Sequence, residues 1–272
     1  MQTIPLQSGI IYGPVRSRRL GWSLGLNISP ISYKFCSFNC VYCQYGWTTI
    51  CTLDTTDRLE DFPTPDDFEK ALESALLEHE GEEIDNITFS GNGEPTLHPK
   101  FEELVDIAKK LREGYFPKAK LGVLSNSSTV DMKKVHRALT KLDFRIMKLD
   151  AGALETFKKI NRPCPEVNYG TILNGLKSIE NVTLQTMFVD GKLQNIGEQE
   201  VKEWVERVGE IKPVKAQIYS LHRPPAASSL REVTAEKLGE IAAQTEKAAG
   251  VTVEAIVAAS PYRKRYNEPY RK

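Results

Sequence analysis

The strongest constraint on this chain is an alternation of short apolar runs with amphipathic helical patterns, repeated six times between about residues 20 and 220. Apolar runs at 24–28, 87–89, 121–124, 144–149, 182–189 and 214–219 read as strands. Between them, 64–76, 100–112, 132–139, 153–160, 169–179 and 198–211 read as helices. The first helix is explicit: Thr64 precedes Pro65, and Phe68, Ala71, Leu72, Ala75 and Leu76 recur on one face. Such alternation predicts a parallel sheet wrapped by helices. Six units fall short of the eight of a closed barrel. The expected fold is α/β, a partial (β/α)6 TIM-like barrel, with an open doubly wound sheet as the alternative. The breaker-rich run 223–229 ends the pattern, and a helix at 234–248 and a strand at 251–256 follow it. The expected division is a barrel domain over 1–225 and a C-terminal extension with a basic tail over 226–272.

At 40% hydrophobic and 26% charged, the 272 residues have the composition of a soluble globular protein. No apolar run nears the roughly 18 residues that span a bilayer, and MQTIPLQSGI has no basic leader with an apolar core. The 36 basic residues balance the 36 acidic ones, so global charge predicts no polyanion partner, though local patches remain able to. Five cysteines, three of them within eight residues, do not make a disulfide framework. The expected compartment is a reducing cytoplasm, with the thiols free or metal-bound.

Cys36, Cys40 and Cys43 form a CxxxCxxC spacing. Three thiolates can hold three irons of a [4Fe–4S] cube and leave the fourth iron an open position, as catalytic metal sites do. The alternatives are a zinc ion completed by Cys51, His98 or His222, and three inert thiols. Phe38 and Tyr42 beside the cysteines suit the shielding of a cluster. A second motif, Ser90-Gly91-Asn92-Gly93-Glu94-Pro95, ends the second strand. Its glycines permit close approach of backbone to a ligand.

The cysteine motif, with Tyr42 before the third cysteine, resembles that of the radical S-adenosylmethionine superfamily. The Gly91–Glu94 segment resembles that family's glycine-rich GGE segment, with Asn92 as the departure. Gly13-Pro14-Val15-Arg16-Ser17-Arg18-Arg19-Leu20-Gly21 and Tyr219-Ser220-Leu221-His222-Arg223-Pro224-Pro225 are similar to segments of a subgroup that includes the wyosine-base synthases acting on transfer RNA. The resemblance implies a [4Fe–4S] cluster on Cys36, Cys40 and Cys43 whose open iron is chelated by S-adenosylmethionine. It implies reductive cleavage of that cofactor to a 5′-deoxyadenosyl radical, which takes hydrogen from a substrate. It implies that Gly91, Asn92, Gly93 and Glu94 contact the methionyl end, with Glu94 accepting from the ammonium. A one-electron reductant such as flavodoxin or ferredoxin is the implied partner.

In a barrel of this kind the strand C-termini face the active site. Ser125 and Asn126, with Ser127, are candidates for the cofactor ribose, or else a solvated turn. Lys148 and Asp150 share one side of the fourth strand end; Lys148 is expected to pair with the cofactor carboxylate and Asp150 to orient it or bind substrate. Met187, on the same face as Gln185, is a candidate for packing on adenine, or else core. His222, near Tyr219 and Arg223, is a candidate proton donor or substrate contact. Cys51 and Cys164 stand apart in the sequence, and no second cluster is expected from them.

Arg16, Arg18 and Arg19 form one basic cluster. The tail forms another, with Tyr262, Tyr266 and Tyr270 among its charges. Both suit phosphates and unpaired bases, so an RNA base is one expected substrate, beside a small molecule or a peptide. The wyosine-base synthases carry extra N-terminal cysteines that this sequence lacks, so a different net reaction is expected, its class (oxidoreductase, lyase or transferase) open. Two rival readings are a non-catalytic zinc or iron–sulfur module and an activase that modifies a partner protein.

Overall fold

A computed structural model describes residues 3–17 and 20–257 of the chain. Its main sheet has eight strands, and their spatial order is their chain order. They are β1 (Ile11–Ser17), β2 (Gly21–Leu26), β3 (Asn86–Phe89), β4 (Lys120–Ser125), β5 (Phe144–Lys148), β6 (Val182–Met187), β7 (Lys215–Tyr219) and β8 (Val253–Ile256). β1 runs antiparallel to β2. Every pair from β2 to β8 is parallel. A doubly wound sheet reverses its strand order at a switch point; this one does not. The strands wind in one direction, as in a barrel, and the ends stay open. The partial-barrel expectation holds, and the doubly wound alternative does not.

The helices are α1 (Pro65–Glu78), α2 (Phe101–Tyr115), α3 (Lys133–Thr140), α4 (Leu154–Asn161), α5 (Tyr169–Ser178), α6 (Glu198–Ile211) and α7 (Ala235–Ala249). Local sequence explains α1. The Thr64 hydroxyl accepts the Asp67 N–H at 3.2 Å, a cap worth about 1 kcal/mol. Phe68, Leu72 and Leu76 are fully buried, each contributing about 1.5–3 kcal/mol. Burial of the apolar face therefore outweighs the cap.

Two features lie beyond the six expected units. β1 carries Pro14, which breaks a strand pattern but is tolerated at a sheet edge. At the other end, α7 packs on α6 and β8 pairs with β7, so the helix and strand after the breaker run continue the same sheet. Arg18, Arg19 and the tail with Tyr262, Tyr266 and Tyr270 lie outside the described residues.

The two faces of the sheet differ. Ile87, Phe89, Leu121, Val123 and Leu184 enter the main core beneath the helices. The opposite face carries a buried polar row towards the β6–β8 side. Gln185 Nε2 donates to Gln217 Oε1 at 3.3 Å, and Gln217 Nε2 to Glu254 Oε2 at 3.0 Å. Such a ladder is affordable only because each buried polar group has a partner. Lys148 stands in register with Gln185 on this face, so the inside of the partial barrel is built for polar chemistry.

Candidate active site

The cysteine loop leaves the C-terminal end of β2 and lies across the strand ends. Two short parallel segments, Phe35–Cys36 and Ile50–Cys51, open and close it. The end of α4 holds its middle: Val41 N–H donates to Ile160 O and Asn39 N–H to Asn161 O, both at 3.0 Å. Phe38 packs edge-on against Phe157, and Val41 and Tyr42 pack with Ile160 and Met187.

Polar side chains approach the cysteines of this loop. Asn126 Nδ2 lies 3.5 Å from Cys36 Sγ, and Asn161 Nδ2 lies 3.5 Å from Cys40 Sγ. The Lys34 ammonium lies in the turn that follows Cys43, where it donates to Gly46 O at 2.9 Å. Burial pushes the Cys40 thiol up to about 11, with nearby Asp150 adding to it. Burial likewise raises Cys36, against the opposing pull of Lys34. These sulfurs become thiolates when a metal supplies the positive charge. The three cysteines share one short loop, with the Cys43 N–H bonded to Cys40 O at 3.2 Å. Three thiolates on such a loop fit a cube, which binds each on a separate iron.

The other zinc candidates are engaged elsewhere. His98 is buried, with Nε2 2.9 Å from Pro63 O and Nδ1 accepting the Lys100 N–H at 3.1 Å. Cys51 and Cys164, distant in sequence, lie next to each other.

The glycine motif is packed against this loop. A Cβ on Gly93 would lie 1.7 Å from Phe35 O, so only glycine lets the motif meet the strand leading to Cys36. Gly91 has φ +137° and sits against Asn27. Asn92 is fully buried: its side chain accepts from Gln7 N–H (2.7 Å) and donates to Gln7 O (2.9 Å) and Pro30 O (3.2 Å). With the Ile4 N–H bond to Gln44 O at 2.9 Å, this straps the amino-terminal segment across both motifs. Glu94 is buried and turned inward. Oε2 accepts the Asn126 N–H at 2.5 Å, and Oε1 accepts from Thr96 N (3.1 Å) and Thr96 Oγ1 (2.6 Å). Burial raises its pKa, and these bonds oppose the rise. Glu94 thus fixes Asn126, whose side chain in turn reaches Cys36 and Ser37 Oγ (2.9 Å). Ser125 Oγ accepts the Ser127 N–H at 3.0 Å, closing the same turn.

Asp150 is the hub of the opposite wall. Oδ1 accepts from Lys148 Nζ at 3.0 Å and from Met187 N–H at 2.8 Å. Oδ2 accepts from Asn161 Nδ2 at 2.7 Å and from Tyr42 Oη. Four donors fill the lone-pair capacity of a carboxylate, so Asp150 is an anchor with no acceptor left for a ligand. Lys148 Nζ also reaches Tyr219 Oη at 3.2 Å, and it lies 5.1 Å and 5.2 Å from the ring centres of Tyr42 and Tyr219. Burial opposes its charge, but Asp150 and Tyr219 outweigh burial and hold it above the usual lysine range. Asn161 Oδ1 is buried and accepts no bond from the protein, an unmet acceptor beside Cys40.

Most of the residues singled out in the sequence thus meet around one loop. His222 is the exception: it is exposed and lines a shallow pocket with Glu232, Val233 and Leu238, on the α7 side. Lys34 and Asn161 were not anticipated, because a lysine two positions before a cysteine and an asparagine ending a helix carry no pattern of their own.

The Radical SAM superfamily model matches residues 31–215. The chain belongs to the Radical SAM superfamily. Its members use a [4Fe–4S] cluster and S-adenosylmethionine, and are enzymes; a non-catalytic module is therefore set aside. This radical SAM protein is 31% identical to a UPF0026 protein of Methanocaldococcus jannaschii over 86% of its own length and 70% of that protein. It is 30% identical to a protein of Brachyspira hyodysenteriae named GTPase Obg, over 86% of its own length but only 33% of that protein. It thus spans a third of the length of that relative. Among solved structures, TYW1 with a lysine–pyruvate adduct is similar at TM-score 0.60 and 18% identity, over 89% of this chain and 78% of that one. A radical SAM methyltransferase from Sphaerobacter thermophilus is similar at TM-score 0.63 and 14% identity, over 86% and 65%. At these identities the two structures speak for the fold. No helix among the described residues is long and apolar enough to cross a membrane.

Proposed function

We propose that this radical SAM enzyme acts on a base in RNA, in the cytoplasm, with flavodoxin or ferredoxin as its one-electron donor. When bound, cluster and S-adenosylmethionine supply a 5′-deoxyadenosyl radical that removes hydrogen from the substrate. The observation that carries the RNA reading is an exposed aromatic platform beside the cysteine loop. Trp47 is 44% exposed, and the Arg162 guanidinium lies 5.0 Å from its ring centre. Unpaired bases stack on such aromatic and guanidinium faces. Lys158 and Lys159 stand exposed on the preceding helix end, suited to phosphate. The similarity of the segments at Gly13 and Tyr219 to wyosine-base synthases supports the same reading.

Within the site, Cys36, Cys40 and Cys43 hold the cluster in this proposal. Gly91, Asn92, Gly93 and Glu94 wall the methionyl end, with backbone facing it, since the Glu94 carboxylate is occupied by Thr96 and Asn126. Ser125 and Asn126 meet the ribose, and Met187 packs against adenine. Lys148, held by Asp150, pairs with the cofactor carboxylate.

The test is anaerobic. Reconstituted protein is given S-adenosylmethionine, a strong reductant and either transfer RNA, a peptide pool or a metabolite pool, and 5′-deoxyadenosine is measured. Stimulation by RNA, weakened in Trp47→Ala, supports the proposal. Stimulation by peptide or metabolite alone removes RNA as the substrate.

A further inference from the structure

We propose that Lys34 sets the reduction potential of the cluster, by holding a fixed positive charge against the three ligand sulfurs. This rests on the assignment of Cys36, Cys40 and Cys43 as cluster ligands. The Lys34 side chain is buried, with the residue only 4% exposed. Its ammonium donates to Gly46 O at 2.9 Å, inside the turn that follows Cys43. Its own carbonyl accepts the N–H groups of Thr49 and Ile50, each at 3.1 Å. The lysine is therefore pinned at both ends, and its charge has a fixed position.

A buried ammonium ordinarily has a carboxylate partner. Among the described residues Lys34 forms no ion pair with one. Its ammonium is instead bonded to Gly46 O, in a turn whose Gly46 N–H bonds back to Cys43 O at 3.1 Å. The anion for which this cation is placed is thus the thiolate set with its cluster. The other two donors, Asn126 on Cys36 and Asn161 on Cys40, are neutral amides. They bring dipoles of the same sense but no net charge.

On reduction the cluster takes one electron from a low-potential one-electron carrier, and its net charge falls by one. A fixed cation close by stabilises the more negative state, because Coulomb attraction in a poorly polarisable interior is weakly screened. Hydrogen bonds to the sulfurs and local charge are recognised levers on such potentials. Lys34 supplies the charge, from within the turn that follows Cys43. It makes the electron easier to accept, and the amides adjust the potential less.

The experiment is a redox titration of the reconstituted holoenzyme followed by electron paramagnetic resonance. It compares wild type, Lys34→Met, Lys34→Gln, Lys34→Arg and Asn161→Ala, each with iron and sulfide content determined. The expected result is a more negative midpoint potential in Lys34→Met and Lys34→Gln at full iron content. Lys34→Arg should stay near wild type, and Asn161→Ala should shift less than the neutral lysine variants. Neutral variants with full clusters and an unchanged potential would overturn the proposal and leave Lys34 a packing residue. Neutral variants that take up no cluster, where Lys34→Arg does, would also overturn it, by assigning the charge to assembly. A wild-type protein that takes up no iron would instead remove the ligand assignment beneath it.

Discussion

The Lys148 ammonium lies 3.0 Å from Asp150 Oδ1, across the end of one strand, and both groups are largely withdrawn from water. The carboxylate does more than neutralise the lysine: it also gathers Met187, Asn161 and Tyr42. Removing one member of a buried pair leaves the other charged and unpaired. Asp150→Ala should therefore destabilise the protein by about 3–5 kcal/mol. The double variant Lys148→Met/Asp150→Ala should lose less than the two single variants added together. Urea unfolding midpoints at constant slope check it, and strictly additive losses would refute the coupling.

His98 makes stability depend on pH. Burial lowers its pKa from 6.5 to about 4, and its bond to Pro63 O only partly opposes this. Below about pH 6.5 the unfolded chain binds a proton that the folded chain refuses, so stability falls as pH drops towards about 4. The shift corresponds to about 3 kcal/mol. His98→Gln should flatten the stability profile between these values. A profile as steep in the variant as in wild type would clear His98 of the effect.

Gly93→Ala tests the contact between the two motifs. The added methyl meets the Phe35 carbonyl, a backbone atom that cannot swing away. A loss of about 1–3 kcal/mol with poor iron retention is expected. Gly114→Ala, in open space on α2, should instead be neutral or slightly stabilising, by up to about 1 kcal/mol. Iron content and thermal melting of the two variants decide the matter.

Cys51 and Cys164 partner each other, although Cys51 stands beside Cys36 in the short two-stranded pairing. Cys51→Ser and Cys164→Ser should each keep the full iron and sulfide content of wild type. Cys43→Ala should lose it. A drop in iron for either serine variant would count that cysteine among the ligands.

The sequence carried the periodic parts of this fold well, because periodicity is what burial imposes. Phe68, Leu72 and Leu76 announced α1, and Thr64 with Pro65 announced its start. The CxxxCxxC spacing marked the loop around which most of the candidate site residues gather. What stayed hidden is what depends on distant segments meeting. Lys34 and Asn161 gain meaning only when the loop folds over the end of α4. The pairing of Cys51 with Cys164 spans more than a hundred residues. The Pro-containing β1 broke the alternation by which strands are read, and the breaker run at 223–229 marked a bend after which the chain rejoins its own sheet. Asn92 looked like a departure from a glycine motif, yet it clasps a backbone segment eighty-five residues upstream.

That clasp has a practical side. The segment from Ile4 to Ile10 bonds to Gln44, Tyr45, Asn92 and Asn27, so it ties the cysteine loop to the glycine motif. Loosening that tie should leave all three cysteines in place and yet let oxygen in. A variant that cuts it, such as Asn92→Ala, should then bleach faster in air after reconstitution than wild type does.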